Sequence, residues 1–316
     1  MKHKPIVSVI MPVYNAEAYV GEAIESILAQ TYIDIDFIII NDGSVDSTAD
    51  IVESYADSRI RYYANDMNRG IVYTLNRGLS LAKGEYIARM DSDDVSLPER
   101  LAQQVAYMEK HSRVVACGTL YGLYGKVDSN PIDVAVSAQD IRVDMALYCQ
   151  FAHSMVMIRK SVLDEHHLHY REDYKYAEDY KLWTELLQYG DMVNIPKVLG
   201  YIRQCDDGIS IVHAEKQKRL SDRVRLEYLQ YMGIYPSVLL NNIDNENKNI
   251  SIIKDVLCAY KPLIERCSNH TWLYRNYRSI LKRYLRGVPM RERMREMISQ
   301  YGDILTIRDK ITIMVR

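Results

Sequence analysis

The feature that most constrains this chain is an alternation in its first 95 residues. Short, unbroken apolar runs take turns with segments of helical periodicity. "PIVSVIM", "DFIII", "RIRYYA" and "EYIARM" are the apolar runs. They do not alternate polar with apolar, as a strand with one wet face would. Continuous runs of this kind belong to strands covered on both faces, as in parallel sheets. Between them, "AEAYVGEAIESILAQTY" places apolar residues at Ala18, Val20, Ala23, Ile24, Ile27 and Leu28, a helical spacing. "DSTADIVESYA" reads as a helix capped by Asp46 or Ser47, and "GIVYTLNRGLSLAKG" as one closed by Gly84. The order β-α-β-α-β-α-β, with a first strand at about Ile6–Met11, predicts an α/β fold with a doubly wound, mostly parallel sheet flanked by helices.

Such sheets bind ligands outside the carboxyl ends of their strands. The four strands here end in Pro12-Val13-Tyr14-Asn15, Asn41-Asp42-Gly43-Ser44, Asn65-Asp66-Met67-Asn68 and Asp91-Ser92-Asp93-Asp94. A single Asp at a strand end is usually a turn or a cap. Asp91, Asp93 and Asp94 together are harder to dismiss: like charges this close repel, and one resists ionising unless a cation is present. An EF-hand is excluded, because its fifth, sixth and twelfth positions counted from Asp91 would be Val95, Ser96 and Ala102. An aspartyl phosphatase would carry its Asp pair after the first strand, where this chain has none. What remains is a divalent cation, Mg²⁺ or Mn²⁺, held jointly with a diphosphate.

Beyond Pro98 the pattern predicts a helix, then strands in "RVVACGTLYGLYG", "HSMVMIRKSVL" and "MVNIPKVLGYIRQ", with helices in "SAQDIRVDMALYC" and "EDYKLWTELLQYG". From about His213 it is helical to the end, with "NNIDNENKN" (241–249) as a polar loop. We therefore expect an α/β domain over 1–212 and a C-terminal helical extension over 213–316.

Composition narrows the function. A hydrophobic fraction of 48% and a charged fraction of 26% suit a soluble globular chain. The net charge of −2 speaks against nucleic acid as partner. The five cysteines (Cys117, Cys149, Cys205, Cys258, Cys267) have no CxxC spacing, so neither a disulfide framework nor a zinc site is expected. No run approaches the ~20 apolar residues of a membrane helix, and a cytoplasmic location is expected. The charge is unevenly spread: residues 1–95 hold 8 basic and 15 acidic side chains, residues 258–316 hold 13 and 5. "NYRSILKRYLRG" could lie on the inner face of a membrane and draw the enzyme to anionic lipid. The more economical reading is a packed helix, with Ile280, Leu281, Tyr284 and Leu285 inward and a solvated cationic face.

"VSVIMPVYNAEAYVGEAIESILAQTY", "IINDGSVDST", "NRGIVYTLNRGLSLAKGEYIARMDSDD" and "AEDYKLW", in order over about residues 5–210, resemble a family 2 glycosyltransferase of the GT-A fold. The resemblance implies roles. Asp91-Ser92-Asp93 matches the DxD motif: Asp93 binds Mn²⁺ or Mg²⁺, Asp91 contacts ribose or metal, and Asp94 supports them. Asp42 matches the acid that recognises the base, usually uracil, and an acceptor-only carboxylate suits an imide N–H. Pro12, Val13, Tyr14 and Asn15 match the loop holding base and ribose, and Asn68 and Gly70 a loop near the nucleotide. Glu178-Asp179 matches the family's acidic pair, with Asp179 as the general base and Glu178 the second candidate. One displacement at the anomeric carbon inverts configuration. The family's later Tyr-Arg-x-His is here "YIRQCDD": Arg203 fits, Cys205 stands where His would be, and Asp206 or Asp207 could replace that ligand. The Gln-x-x-Arg-Trp motif and membrane helices of processive synthases do not occur, so the implied reaction moves one sugar, from a nucleotide-sugar donor to a saccharide or lipid-linked acceptor. Two rivals stand beside it. A sugar-nucleotide nucleotidyltransferase needs a Gly-rich basic loop after strand one, which "PVYNAEAYVGE" lacks; a non-catalytic nucleotide-sugar binder has no need of Glu178-Asp179.

Overall fold

A computed structural model describes residues 6–124, 131–132, 134–204, 212–243, 249–269, 271–306, 309–310 and 313. Cys205, Asp206 and Asp207 lie outside the described residues, as does most of the 241–249 loop. Two compact units form: Met1–Ile141 with Cys149–Val224, and Arg142–Tyr148 with Arg225–Arg316.

The first unit is built on one mixed eight-stranded sheet. Strands β1 (Val7–Val13), β2 (Ile35–Asn41), β3 (Ile60–Ala64) and β4 (Tyr86–Arg89) are mutually parallel, with β1 in the centre between β2 and β4. β5 (Val95–Ser96), β6 (Val114–Leu123), β7 (Met157–Arg159) and β8 (Asp191–Ile202) extend the sheet to the order β3-β2-β1-β4-β7-β6-β8-β5. β7 runs antiparallel to both β4 and β6, while β6 and β8 are parallel. Every residue of β1 and β2 is buried, which is why their sequences do not alternate. Helices α1 (Val20–Leu28) and α4 (Arg100–Lys110) supply Ile24, Ile27, Leu101 and Val105 to a core shared with Val9, Met11, Phe37 and Ile39 of the sheet. α2 (Thr48–Glu53), α3 (Ile71–Leu81), α5 (Ala138–Asp144), α6 (Lys160–Glu165) and α7 (Glu178–Leu186) complete the crossovers.

The local readings need three corrections, and the structure chooses between the two caps offered for α2. β1 runs two residues further than expected, to Val13, because Pro12 stays in register with Ile40. Asp46, not Ser47, caps α2: its Oδ1 accepts the Thr48 N–H at 3.0 Å. Gly84 is not a helix cap. α3 ends at Leu81 with Ala82 extended, and the Ser8 hydroxyl accepts the N–H groups of Lys83 and Gly84 at 3.0 and 2.9 Å. Gly84 is there because a Cβ would lie 2.5 Å from the Ser8 backbone nitrogen. β5 was not expected at all; two residues carry no periodicity to read.

The second unit is helical: the end of α8 (Ala214–Tyr231), α9 (Ile250–Ile264), α10 (Trp272–Gly287) and α11 (Met290–Ser299). Its early segment joins through Asp144, which accepts the N–H groups of Trp272 and Leu273 at 3.0 and 2.8 Å and so caps α10 beside Thr271. Ile280, Leu281, Tyr284 and Leu285 are buried inside this unit.

Candidate active site

The carboxyl ends of β1 to β4 set out the site. The turns after β1 and β2 are tied together by side chains. Asn15 adopts a left-handed conformation (φ 46), its N–H donates to the Ser44 hydroxyl, and its Oδ1 accepts the Val45 N–H, each at 3.0 Å. Asn tolerates that conformation better than most residues. Ala16 N–H donates to the Thr48 hydroxyl at 2.8 Å, and Glu17 and Asp46 exchange bonds with the opposite turn. Pro12 and Val13 are the last, buried residues of β1 and can meet a ligand only through their backbone; Tyr14 and Asn15 are exposed.

Asp42 is buried, and it grips the next loop. Its Oδ1 accepts Asn65 Nδ2 at 2.6 Å and the Arg69 N–H at 2.8 Å; its Oδ2 accepts the Gly70 N–H at 2.8 Å. Of the roughly four acceptor sites of a carboxylate, one on Oδ2 stays open. Asn68 is exposed and its Oδ1 shares the Gly70 N–H at 3.1 Å. Gly43 makes the close approach possible: it has φ +73, and a Cβ there would stand 2.7 Å from the Met67 carbonyl carbon.

After β4 the chain turns through Ser92 and Asp93, with Asp91, Ser92 and Asp93 half-buried and Asp94 buried. Asp94 points inward. Its Oδ1 accepts the Arg203 N–H at 2.9 Å and its Oδ2 accepts the Ser154 hydroxyl. Arg203 also donates through Nε to the Asp93 carbonyl at 3.0 Å and reaches Glu22 at 2.6 Å, with Tyr19 and Tyr124 against its guanidinium. Burial, and then the charge of Asp91, push the Asp93 carboxyl up to about 6. Asp94 is pushed to about 7 by burial and by both neighbours. Sequence reasoning passed over Arg89, a fully enclosed cation two positions before the cluster, which pairs with Asp91. The lone cation inside the apolar run "YIARM" was the available signal. Ser154, which donates to Asp94, and Arg100, whose guanidinium donates to the carbonyls of Arg89 and Ser154, were also passed over, since only tertiary contacts reveal them.

The second acid pair opens α7. Glu178 is buried and its Oε2 accepts the Tyr176 N–H at 2.6 Å; Asp179 Oδ1 accepts the Tyr180 N–H at 2.7 Å. Asp179 keeps part of its surface open while protein surrounds it closely. That enclosure lifts its carboxyl to about 6, with Arg89 pulling it down and Asp91 pushing it up. Glu178 is lifted to about 7, by burial and then by Asp179. Arg89 thus acts electrostatically on Asp93, Glu178 and Asp179 alike, so the two acidic motifs, nearly ninety residues apart in sequence, lie within reach of one buried cation.

The donor set suits a hard divalent cation. Among the described residues no three His, Cys, Asp or Glu side chains converge as a closed cage. Asp94 is committed through both oxygens to Ser154 and Arg203, which leaves Asp93, and Asp91 through the oxygen that Arg89 does not take. One or two carboxylates completed by substrate phosphate oxygens is how Mg²⁺ is usually held at such sites. A cation would also relieve the mutual repulsion that raises Asp93.

The profile of "Glycosyl transferase family 2" matches residues 8–166. An uncharacterized glycosyltransferase of Haemophilus influenzae is 34% identical over 281 residues, 81% of this chain and 86% of its own length. The chain belongs to glycosyl transferase family 2. It is also similar to the UDP-Glc:alpha-D-GlcNAc-diphosphoundecaprenol beta-1,3-glucosyltransferase WfgD of Escherichia coli, with 31% identity over 185 residues, 58% of this chain and 70% of that one. Among solved structures, S. aureus TarS 1–349 in complex with UDP-GlcNAc aligns over 98% of this glycosyltransferase and 90% of its own chain, with a TM-score of 0.58 and 19% identity. The mannosyltransferase PcManGT from Pyrobaculum calidifontis, in complex with GDP-Man and Mn2+, aligns over 99% and 85%, with a TM-score of 0.58 and 16% identity. At those identities the likeness carries the fold, which is of the GT-A type.

Proposed function

We propose that this glycosyltransferase moves a single sugar from a UDP-sugar to a hydroxyl of a lipid-linked saccharide, with inversion at the anomeric carbon, in surface polysaccharide or lipid-linked oligosaccharide synthesis. The observation that carries the reading is that the Asp91-Asp93 cluster and Glu178-Asp179 feel the same buried Arg89, and that Asp91 acts on Asp179 directly, which brings two acid pairs from distant parts of the sequence into one electrostatic neighbourhood. Asp42, Asn68, Gly70 and the Pro12–Asn15 turn hold the nucleoside, the open acceptor site of Asp42 taking the imide N–H of uracil. Asp93 and Asp91 hold Mn²⁺ or Mg²⁺, which when bound neutralises charge on the departing diphosphate. Asp179 takes the proton of the acceptor hydroxyl as its oxygen attacks, help typically worth ~10²–10⁴-fold. Glu178, tied to the Tyr176 N–H, fixes the start of α7.

Uridine as the nucleoside and a diphosphate-lipid acceptor follow the chemistry in the name of the E. coli relative. Ile280, Leu281, Tyr284 and Leu285 are buried inside the helical unit, which supports the packed-helix reading of the basic C-terminal region over a membrane-surface one. Among the described residues no helix is long and apolar enough to cross a membrane. The test is a transfer assay with UDP-glucose or UDP-N-acetylglucosamine and a diphosphoundecaprenol-linked N-acetylglucosamine. A β-linked product seen by NMR is expected; an α-linked product would rule out the inverting displacement.

A further inference from the structure

Lys175 stands three residues before Glu178, and the functional reading above gives it no role. Its ammonium lies 3.2 Å from where a Cβ on Gly70 would be, so it rests against the loop that Asp42 grips. It is half-buried. The other cations of this stretch are spoken for: Arg171 and Lys181 pair with Glu185 at 3.4 and 3.6 Å. Among the described residues no carboxylate pairs with Lys175; besides Gly70, its ammonium approaches the Tyr176 ring, 5.7 Å from Nζ.

The backbone beside it is strained. Tyr176 has φ 84, a left-handed conformation unfavourable for an aromatic residue. Its N–H is held by Glu178 and its ring lies 4.3 Å from that of His213. The chain is thus bent sharply between the acid pair and Lys175, and the bend leaves the ammonium at the loop on the nucleoside side. Strain of this kind concentrates at functional sites.

We propose that Lys175 binds the diphosphate of the donor, a nucleoside diphosphate sugar. The assignment rests on the functional reading above, in which the donor spans from Asp42 to Asp179. Lys175 touches Gly70, which Asp42 holds, and stands four positions before Asp179, so it is within reach of a donor that runs from one to the other. In the transfer, the bond from the acceptor oxygen to the anomeric carbon forms as the bond from that carbon to the phosphate oxygen breaks. The electron pair leaves with UDP and the hydroxyl proton goes to Asp179. Lys175 keeps its own proton and gives the diphosphate a charge-assisted hydrogen bond.

The test compares UDP with UMP by calorimetric titration in Mn²⁺, on the wild type, Lys175→Gln and Lys175→Arg. Losing a contact to the diphosphate should weaken UDP by about tenfold or more in Lys175→Gln, leave UMP within about twofold, and be largely restored in Lys175→Arg. Unchanged UDP affinity in Lys175→Gln would overturn the assignment. So would an equal loss for UDP and UMP, which would mark Lys175 as merely structural. If the wild type binds neither nucleotide, the functional reading fails first and the assignment with it, a result visible before any variant is made.

Discussion

The Asp42 carboxylate accepts the Gly70 N–H at 2.8 Å, joining the end of β2 to the start of α3 across 28 positions. Asn65 and Arg69 donate to the same side chain. Asp42 is therefore the anchor of the loop as well as the proposed reader of the base. Asp42→Asn puts an amide donor where an N–H already points. The cost should be roughly 1–3 kcal/mol, read from a urea unfolding midpoint, with UDP affinity falling by about tenfold or more. A variant as stable as the wild type would show that the loop is held by something else.

Gly43 should tolerate no side chain. Gly43→Ala adds a Cβ 2.7 Å from the Met67 carbonyl carbon at a φ of +73. Both neighbours are backbone and cannot swing aside. We expect a loss on the order of 2 kcal/mol or more and weaker nucleotide binding, because the 65–70 loop must retreat. Thermal unfolding and UDP titration on the same preparation check both parts.

Asp179→Asn should lower kcat by about 10²–10⁴-fold while UDP binding stays near that of the wild type, since an amide keeps the shape but cannot take a proton. Burial raises the Asp179 carboxyl to about 6. The base form is therefore lost as pH falls through that value, well above the ordinary carboxylate range. kcat/KM should fall tenfold per pH unit below about 6 and be flat above it until another group intervenes. A profile flat down to pH 4.5 would remove Asp179 from the role.

Glu178 gives a prediction about stability of the ligand-free protein. Its folded carboxyl is raised to about 7, above its unfolded value. A raised carboxyl stabilises the fold in its protonated form. That contribution is complete below the unfolded pKa and is lost as pH rises through the folded one. The melting temperature should thus decline between about pH 5 and pH 8, and Glu178→Gln should flatten the decline. Equal slopes in both proteins would mean Glu178 does not titrate there.

Much of this was legible in the sequence because burial on both faces leaves a mark that few other structures leave. The runs "VSVIM" and "DFIII" are fully buried strands, and the polar quartets after them form the sheet edge that holds the site. Asp91 and Asp93 stood out because like charges crowded at a strand end need a reason, whereas Glu178 and Asp179 were marked only by the resemblance to the family. What stayed hidden depends on contacts between distant segments. Nothing local distinguishes Asp94, committed to Ser154 and Arg203, from Asp93, which is not. The left-handed turn at Tyr176, which leaves Lys175 against Gly70, violates the local preference of an aromatic residue and could not be foreseen from it.

The most direct test of the metal–diphosphate site is a calorimetric titration of UDP, dTDP and GDP, each with and without Mn²⁺, on the wild type and on Asp93→Ala. Binding of UDP that needs Mn²⁺ and disappears in Asp93→Ala is the expected result. Binding that ignores both the metal and Asp93, or no binding of any of the three nucleotides, would contradict it and leave Asp91-Ser92-Asp93 with some other task.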